Sequence, residues 1–324
     1  MIEVSALSKR YGNHLAVSDV SFKIEDGEVI GFLGPNGAGK STIMNILTGY
    51  LSPTAGKANI DGFDIVDSPA DAKRRIGYLP EIPPLYTDMT VKEYLFFVYD
   101  LKKVKLPKRP HIDEICRLVK IDHVANRLIK TLSKGYRQRV GIAQALVGNP
   151  DVLILDEPTV GLDPKQIIEI RNLISRLSKN HTIILSSHIL SEIQAVCGRI
   201  IVINKGKIVA DGTPDELSER VSADKSLEVA VCGPEKDVEK LLSGIAGVEA
   251  VESLGKGAAG SAVFRVIPGE GAEVRRDMFE RLADRNWPIM ELKSSALTLE
   301  QIFLRLTDET LNSKALLSNK EENK

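Results

Sequence analysis

The stretch Gly34-Pro35-Asn36-Gly37-Ala38-Gly39-Lys40-Ser41 constrains this chain more than any other segment, because it matches G-x-x-x-x-G-K-[ST]. It follows a short apolar run at 29–33 and leads through Thr42 into a segment to 47 that reads as helix. That strand-to-helix setting is what the motif requires. Glycines let backbone N–H groups curl around phosphate oxygens, and the start of a helix favours an anion. Lys40 then reaches the outer phosphates and the Ser41 hydroxyl binds Mg²⁺. A merely decorative glycine turn is the competing reading, and the strand before and helix after set it aside. A phosphate site is expected here.

The rest of the chain must be compatible with that unit. A length of 324 residues exceeds one ordinary compact domain and suits two. Hydrophobic residues at 43% and charged residues at 27% exclude wholesale disorder. Lys and Arg total 43 against 44 Asp and Glu, so no global basic footprint points to nucleic acid. No apolar run approaches the roughly 18–20 residues of a membrane span. The three cysteines, Cys116, Cys197 and Cys232, are too few and too scattered for a disulfide framework or zinc site. These features read as a reduced, cytosolic chain without a leader peptide.

Apolar–polar alternation at Val20, Phe22 and Ile24, then a turn at Asp26-Gly27, predicts strands in the first thirty residues. Residues 91–150 read as mostly helical, interrupted at Pro107 and Pro110. Fully apolar runs at 152–155 and 183–185 predict strands of a parallel sheet covered on both faces. Helical segments are expected at about 165–179 and 189–196, and the whole implies an α/β layer with an antiparallel part and a helical insertion. Residues 213–226 read as helix plus linker, the linker spanning 219–226. Beyond them the order β-α-β-β-α-β predicts a ferredoxin-like α+β module over 227–307, ending in a helix from Thr298. The tail 308–324 is polar.

Further motifs sit at expected strand and helix ends. Asp156-Glu157 closes the apolar run at 152–155, where the first acid can hold Mg²⁺ and the second can accept a proton from water. Taken alone, this pair reads better as a solvated helix cap. His188 follows the third apolar strand, where it can donate to a phosphate oxygen; a lone histidine is more often structural. Ser133-Lys134-Gly135 begins an apolar-faced helix and by itself reads as an ordinary capped start.

Together these motifs resemble the nucleotide-binding subunit of ABC transporters over roughly residues 1–220, with every element in family order. Phosphate loop, Leu132-Ser133-Lys134-Gly135-Tyr136, Leu155-Asp156-Glu157-Pro158, Gly161-Leu162-Asp163-Pro164 and His188 carry the resemblance. It implies ATP and Mg²⁺ as ligands. Gly34, Asn36, Gly37, Ala38, Gly39, Lys40, Ser41 and Thr42 would hold the phosphates and Tyr11 would stack on adenine. Ser41, Asp156 and Glu81 would serve the metal, Glu157 would be the general base, and His188 would sense the γ-phosphate. Two subunits would close head to tail over two ATP molecules. Ser133, Lys134, Gly135 and Tyr136 of one would face the nucleotide of the other, with Asp163 coupling the two sites.

Three positions depart from the family pattern. Lys134 and Tyr136 replace a Gly and the Gln of LSGGQ, and Glu81 stands where a Gln is usual. These variants and the C-terminal module resemble the exporter-type branch, including drug, sodium and gliding-motility-associated ATPases. Its members act beneath a separate permease of about six spans, at the cytoplasmic face of the bacterial membrane. The run Leu95, Phe96, Phe97 and Val98 is then a candidate permease contact, or equally the core of the insertion, which spans about 82–150 of a cassette ending near 218. Two other readings remain: a soluble ABC-type ATPase acting on ribosomes or DNA, and an ATP-dependent switch that scarcely hydrolyses. The single cassette, balanced charge and absence of heptads disfavour the first, and Glu157 disfavours the second.

Overall fold

The computed structural model describes residues 1–221, 226–269 and 271–295. The expected helix from Thr298 and the polar tail lie outside them. The chain opens with β1 (Ile2–Tyr11), β2 (His14–Ile24) and β3 (Val29–Leu33), then α1 (Lys40–Leu47). Next come β4 (Ala55–Ile60), β5 (Phe63–Asp64), α2 (Pro69–Arg74) and β6 (Ile76–Leu79). A helical stretch follows with α3 (Val91–Leu101), α4 (Lys108–Leu118) and α5 (Lys134–Leu146). Strands and helices then alternate: β7 (Val152–Asp156), α6 (Pro164–Leu177), β8 (Thr182–Ser187), α7 (Leu190–Gln194), β9 (Arg199–Asn204), β10 (Lys207–Gly212) and α8 (Pro214–Val221).

The described chain divides into two units between Pro214 and Asp215. In the first, β10-β9-β3-β8-β7-β6 form a six-stranded sheet and β2-β1-β4-β5 a four-stranded antiparallel one. The larger sheet is parallel from β9 to β6, with β10 added antiparallel at its edge. Every residue of β7 and β8 is buried, as expected of strands covered on both faces. Phe32, Ile43, Met44, Ile154, Ile184 and Ile201 belong to a core that also takes in the inner face of the antiparallel sheet. The register sets Leu33 beside Ser187 and Asp156 beside Ser186, so three strands end side by side. Ligands of open α/β sheets bind at such carboxyl ends.

The helical stretch departs from the sequence reading in two ways. Pro110 does not interrupt: it lies in the first turn of α4, where its missing N–H is not needed. The run 95–98 is not one surface, because a helix turns successive residues apart. Leu95 and Val98 are buried, whereas Phe97 is 36% exposed and meets Tyr86. Thr90 caps α3 reciprocally with Glu93.

The second unit contains β11 (Ser226–Val231), α9 (Glu235–Ser243), β12 (Val248–Lys256), β13 (Ala262–Pro268), α10 (Arg275–Asp284) and β14 (Ile289–Ser295). Its antiparallel strand order β12-β13-β11-β14 is that of a ferredoxin-like module. Val238, Leu242, Met278 and Leu282 from the helices meet Val229, Val231, Phe264 and Val266 from the sheet. Helix α8 continues to Val221, so the first residues of the stretch read as linker are helical, and 222–225 lie outside the described residues. Among the described residues no helix is long and apolar enough to cross a membrane.

Candidate nucleotide-binding site

Strand β3 delivers the chain into the glycine-rich loop, which closes onto α1. Gly39 has φ +109°, and a Cβ there would fall 2.8 Å from the Ala16 carbonyl oxygen, so the close turn against β2 demands glycine. Lys40 begins α1 and is only 6% exposed. Its Nζ donates to the carbonyls of Gly34 at 2.6 Å and Pro35 at 3.2 Å. Burial pulls the ammonium below its ordinary value of 10.5, while the carboxylates of Glu157, Asp156 and Glu81 oppose the fall.

Strand β7 ends in buried Asp156, which accepts a hydrogen bond from the Ser186 hydroxyl. Glu157 follows with φ +48°, a left-handed conformation that costs a non-glycine residue about 1–3 kcal/mol. Its N–H donates to Ser186 Oγ at 3.1 Å, so one serine of β8 holds both acids at the end of β7. His188, just past β8, places Nδ1 3.0 Å from each carboxylate oxygen of Glu157. Lys40 Nζ lies 4.0 Å from the same carboxylate.

These groups face one cavity of about 500 Å³, within the range of small-molecule sites. Asn36, Gly37, Ala38, Gly39, Lys40, Ser41 and Thr42 line it together with Tyr11, Glu81, Glu157 and His188. Gly34 and Asp156 do not line it: Gly34 offers its carbonyl to Lys40, and Asp156 lies against Ser186. Tyr11 is 45% exposed, with the Lys9 ammonium 5.4 Å from its ring centre. His14, Ala16 and Val160 also line the cavity, and sequence reasoning missed them. His14 is there because it pairs opposite Tyr11 in the β1–β2 hairpin, a signal readable only once that turn is recognised. The hydroxyl and carboxylate oxygens of Ser41, Glu81 and Asp156 are hard donors of the kind Mg²⁺ takes, one or two at a time, alongside phosphate and water.

Ser133, Lys134, Gly135, Tyr136 and Asp163 are not among the residues of this cavity. Ser133 caps α5, accepting from the Tyr136 N–H at 3.4 Å, and Asp163 caps α6, accepting from the Gln166 N–H at 2.9 Å. The two helix starts touch. A Cβ on Gly135 would fall 2.5 Å from Gln166 Oε1, and one on Gly161 would fall 2.0 Å from Lys134 Nζ. Arg139 of α5 and Glu169 of α6 form an ion pair that holds the helices together.

A family model described as ABC transporter matches residues 17–160. The bacitracin transport ATP-binding protein BcrA of Bacillus licheniformis is 39% identical over 222 residues, 68% of this chain and 72% of that protein. The linearmycin resistance ATP-binding protein LnrL of Bacillus subtilis (strain 168) is 31% identical over 317 residues, 96% of this chain and 99% of that protein. A solved ATP-binding subunit of an ABC transporter superposes with TM-score 0.63 at 30% identity, covering 68% of this chain and 93% of that one. The dimeric cassette MJ0796, bound to ADP and Pi, gives TM-score 0.61 at 27% identity, covering 66% of this chain and 98% of that one. With the phosphate loop, the paired acids and the histidine around one cavity, these similarities show that the chain belongs to the ABC transporter family, as an ATP-binding ATPase subunit.

Proposed function

We propose that this subunit powers export through a separate bacterial membrane permease, working at the cytoplasmic face of the membrane as one half of a dimer closed over two ATP molecules. The observation that carries the reading is the convergence of Lys40, Glu157 and His188 on the cavity lined by the phosphate loop. Phosphate oxygens replace the Gly34 and Pro35 carbonyls as acceptors for Lys40. They also draw His188 away from Glu157, because a polyanion outcompetes one carboxylate for a donor. The freed Glu157 accepts a proton from the attacking water. Ser41, Glu81 and Asp156 would hold Mg²⁺, which would offset the charge of the phosphate oxygens.

Ser133–Tyr136 and Asp163 serve the other subunit's nucleotide in this reading. Ser133, Lys134 and Asp163 are exposed and lie outside the home cavity, and the contact between the starts of α5 and α6 supports that role. The permease docks in a second cavity of about 460 Å³, lined by Tyr50, Tyr78, Pro80, Ile82 and Pro84, directly beside Glu81. Ile82 is 82% exposed and Tyr50 78%, an apolar opening that a helix end can fill. LnrL, a resistance protein by its name, matches nearly end to end and so includes the C-terminal module. That extent favours a resistance-type export role for the whole chain.

The test is a pull-down from detergent-solubilised membranes with Glu157→Gln bait and Mg-ATP. Recovery of a multi-spanning protein in near-equal amount supports the reading. Recovery of ribosomes, DNA or nothing membranous overturns it.

A further inference from the structure

Directly behind Glu157 and His188 lies a buried carboxylate that the mechanism above does not use. Glu192, on α7, is 5% exposed. Its Oε2 accepts the Thr159 hydroxyl at 2.6 Å and the Ser187 hydroxyl at 2.9 Å. Ser187 Oγ in turn accepts the Ile189 N–H at 3.0 Å, so its hydroxyl is fixed at both donor and acceptor ends. Thr159 and Ser187 are themselves 6% and 1% exposed. Among the described residues, no ion pair involves Glu192, so its Oε2 is satisfied by two hydroxyls and not by a cation.

The positions of these partners give the carboxylate its meaning. Thr159 stands two residues after Glu157, and Ser187 immediately precedes His188. One oxygen atom thus joins the loop that carries the base to the strand end that carries the histidine. Ser186, the preceding residue of β8, joins the same two strands through Asp156 and the Glu157 N–H. A buried acid without a cation is expensive to keep, and this one spans the two segments whose spacing sets the 3.0 Å contact between Glu157 and His188.

We propose that Glu192 is a positioning residue for ATP hydrolysis. It holds the loop after β7 and the end of β8 in register, so that Glu157 and His188 meet the same γ-phosphate. It is not among the residues lining the nucleotide cavity and acts only through Thr159 and Ser187. The inference rests on the hydrolytic reading of Glu157 given above.

The experiment compares Glu192→Ala, Glu192→Gln, Thr159→Val and Ser187→Ala in the full chain. It measures kcat and KM for ATP, affinity for a fluorescent ATP analogue, and thermal unfolding. Glu192→Ala is expected to lower kcat about tenfold or more, equivalent to about 1.4 kcal/mol, with analogue affinity unchanged. Glu192→Gln keeps a carbonyl oxygen that both hydroxyls can donate to, and it should recover most of that loss. Thr159→Val and Ser187→Ala should each lower kcat in part and add little to Glu192→Ala, because the three residues act as one unit. A Glu192→Ala protein with native kcat overturns the proposal, as does one whose kcat, affinity and unfolding temperature all fall together. Should that variant not fold, native kcat in both Thr159→Val and Ser187→Ala overturns it equally. Glu157→Gln run alongside separates the two readings. If it hydrolyses like the native chain, the base assignment fails; if it is inactive while Glu192→Ala is normal, only the positioning role fails.

Discussion

His188 Nδ1 sits 3.0 Å from both carboxylate oxygens of Glu157, bridging two strand ends that lie 31 residues apart in the chain. The contact gives the base a hydrogen-bonding partner that Gln can also satisfy. Glu157→Gln should therefore fold and bind ATP normally while losing about 10²–10⁴-fold in kcat, the usual share of a general base. Size-exclusion chromatography with Mg-ATP should show this variant accumulating as a dimer. Turnover at the native rate would remove Glu157 from the mechanism.

Lys40 ties nucleotide binding to protons. Burial lowers its ammonium from the ordinary 10.5, and arriving phosphate oxygens favour the charged form, so its pKa rises on binding. Below the depressed value both states are protonated and no proton moves. As pH climbs from there towards 10.5, binding takes up a proton and affinity falls. Calorimetry at alkaline pH in buffers of different ionisation enthalpy should detect that uptake in the native chain and not in Lys40→Met.

A Cβ on Gly135 would meet Gln166 Oε1 at 2.5 Å, but that amide is the far end of a flexible side chain that can swing aside. Gly135 also lies within α5, where Ala is favoured over Gly by up to about 1 kcal/mol. Gly135→Ala should therefore leave unfolding stability within about 1 kcal/mol of native, as denaturant unfolding would show. A loss of several kcal/mol would mean that Gln166 cannot move.

Tyr50 is 78% exposed at the rim of the second cavity and is absent from the nucleotide cavity. Tyr50→Glu should leave ATPase activity of the isolated subunit within about twofold, as is usual for surface changes. It should sharply reduce co-purification with a membrane partner. Undiminished recovery of that partner would place the docking surface elsewhere.

Local chemistry made much of this protein readable without coordinates. The phosphate loop and the apolar runs at 152–155 and 183–185 depend on neighbours a few residues away, so glycine spacing and hydrophobic period suffice to place them. The order of elements in the second unit was legible for the same reason. What the chain alone could not say is which strand lies beside which. Only the order β9-β3-β8-β7 brings Phe32, Asp156 and Ser186 level, and with them the ends that carry Lys40, Glu157 and His188 together. Leu95 and Val98 read equally as permease contact or as core until α3 turned them inward, because one apolar run serves either. Glu192 shows the limit most plainly. In sequence it is one acid among 44 acidic residues, and nothing near it marks burial. Its role exists only because parallel pairing sets Thr159 and Ser187 around one oxygen, a long-range register that no local pattern encodes.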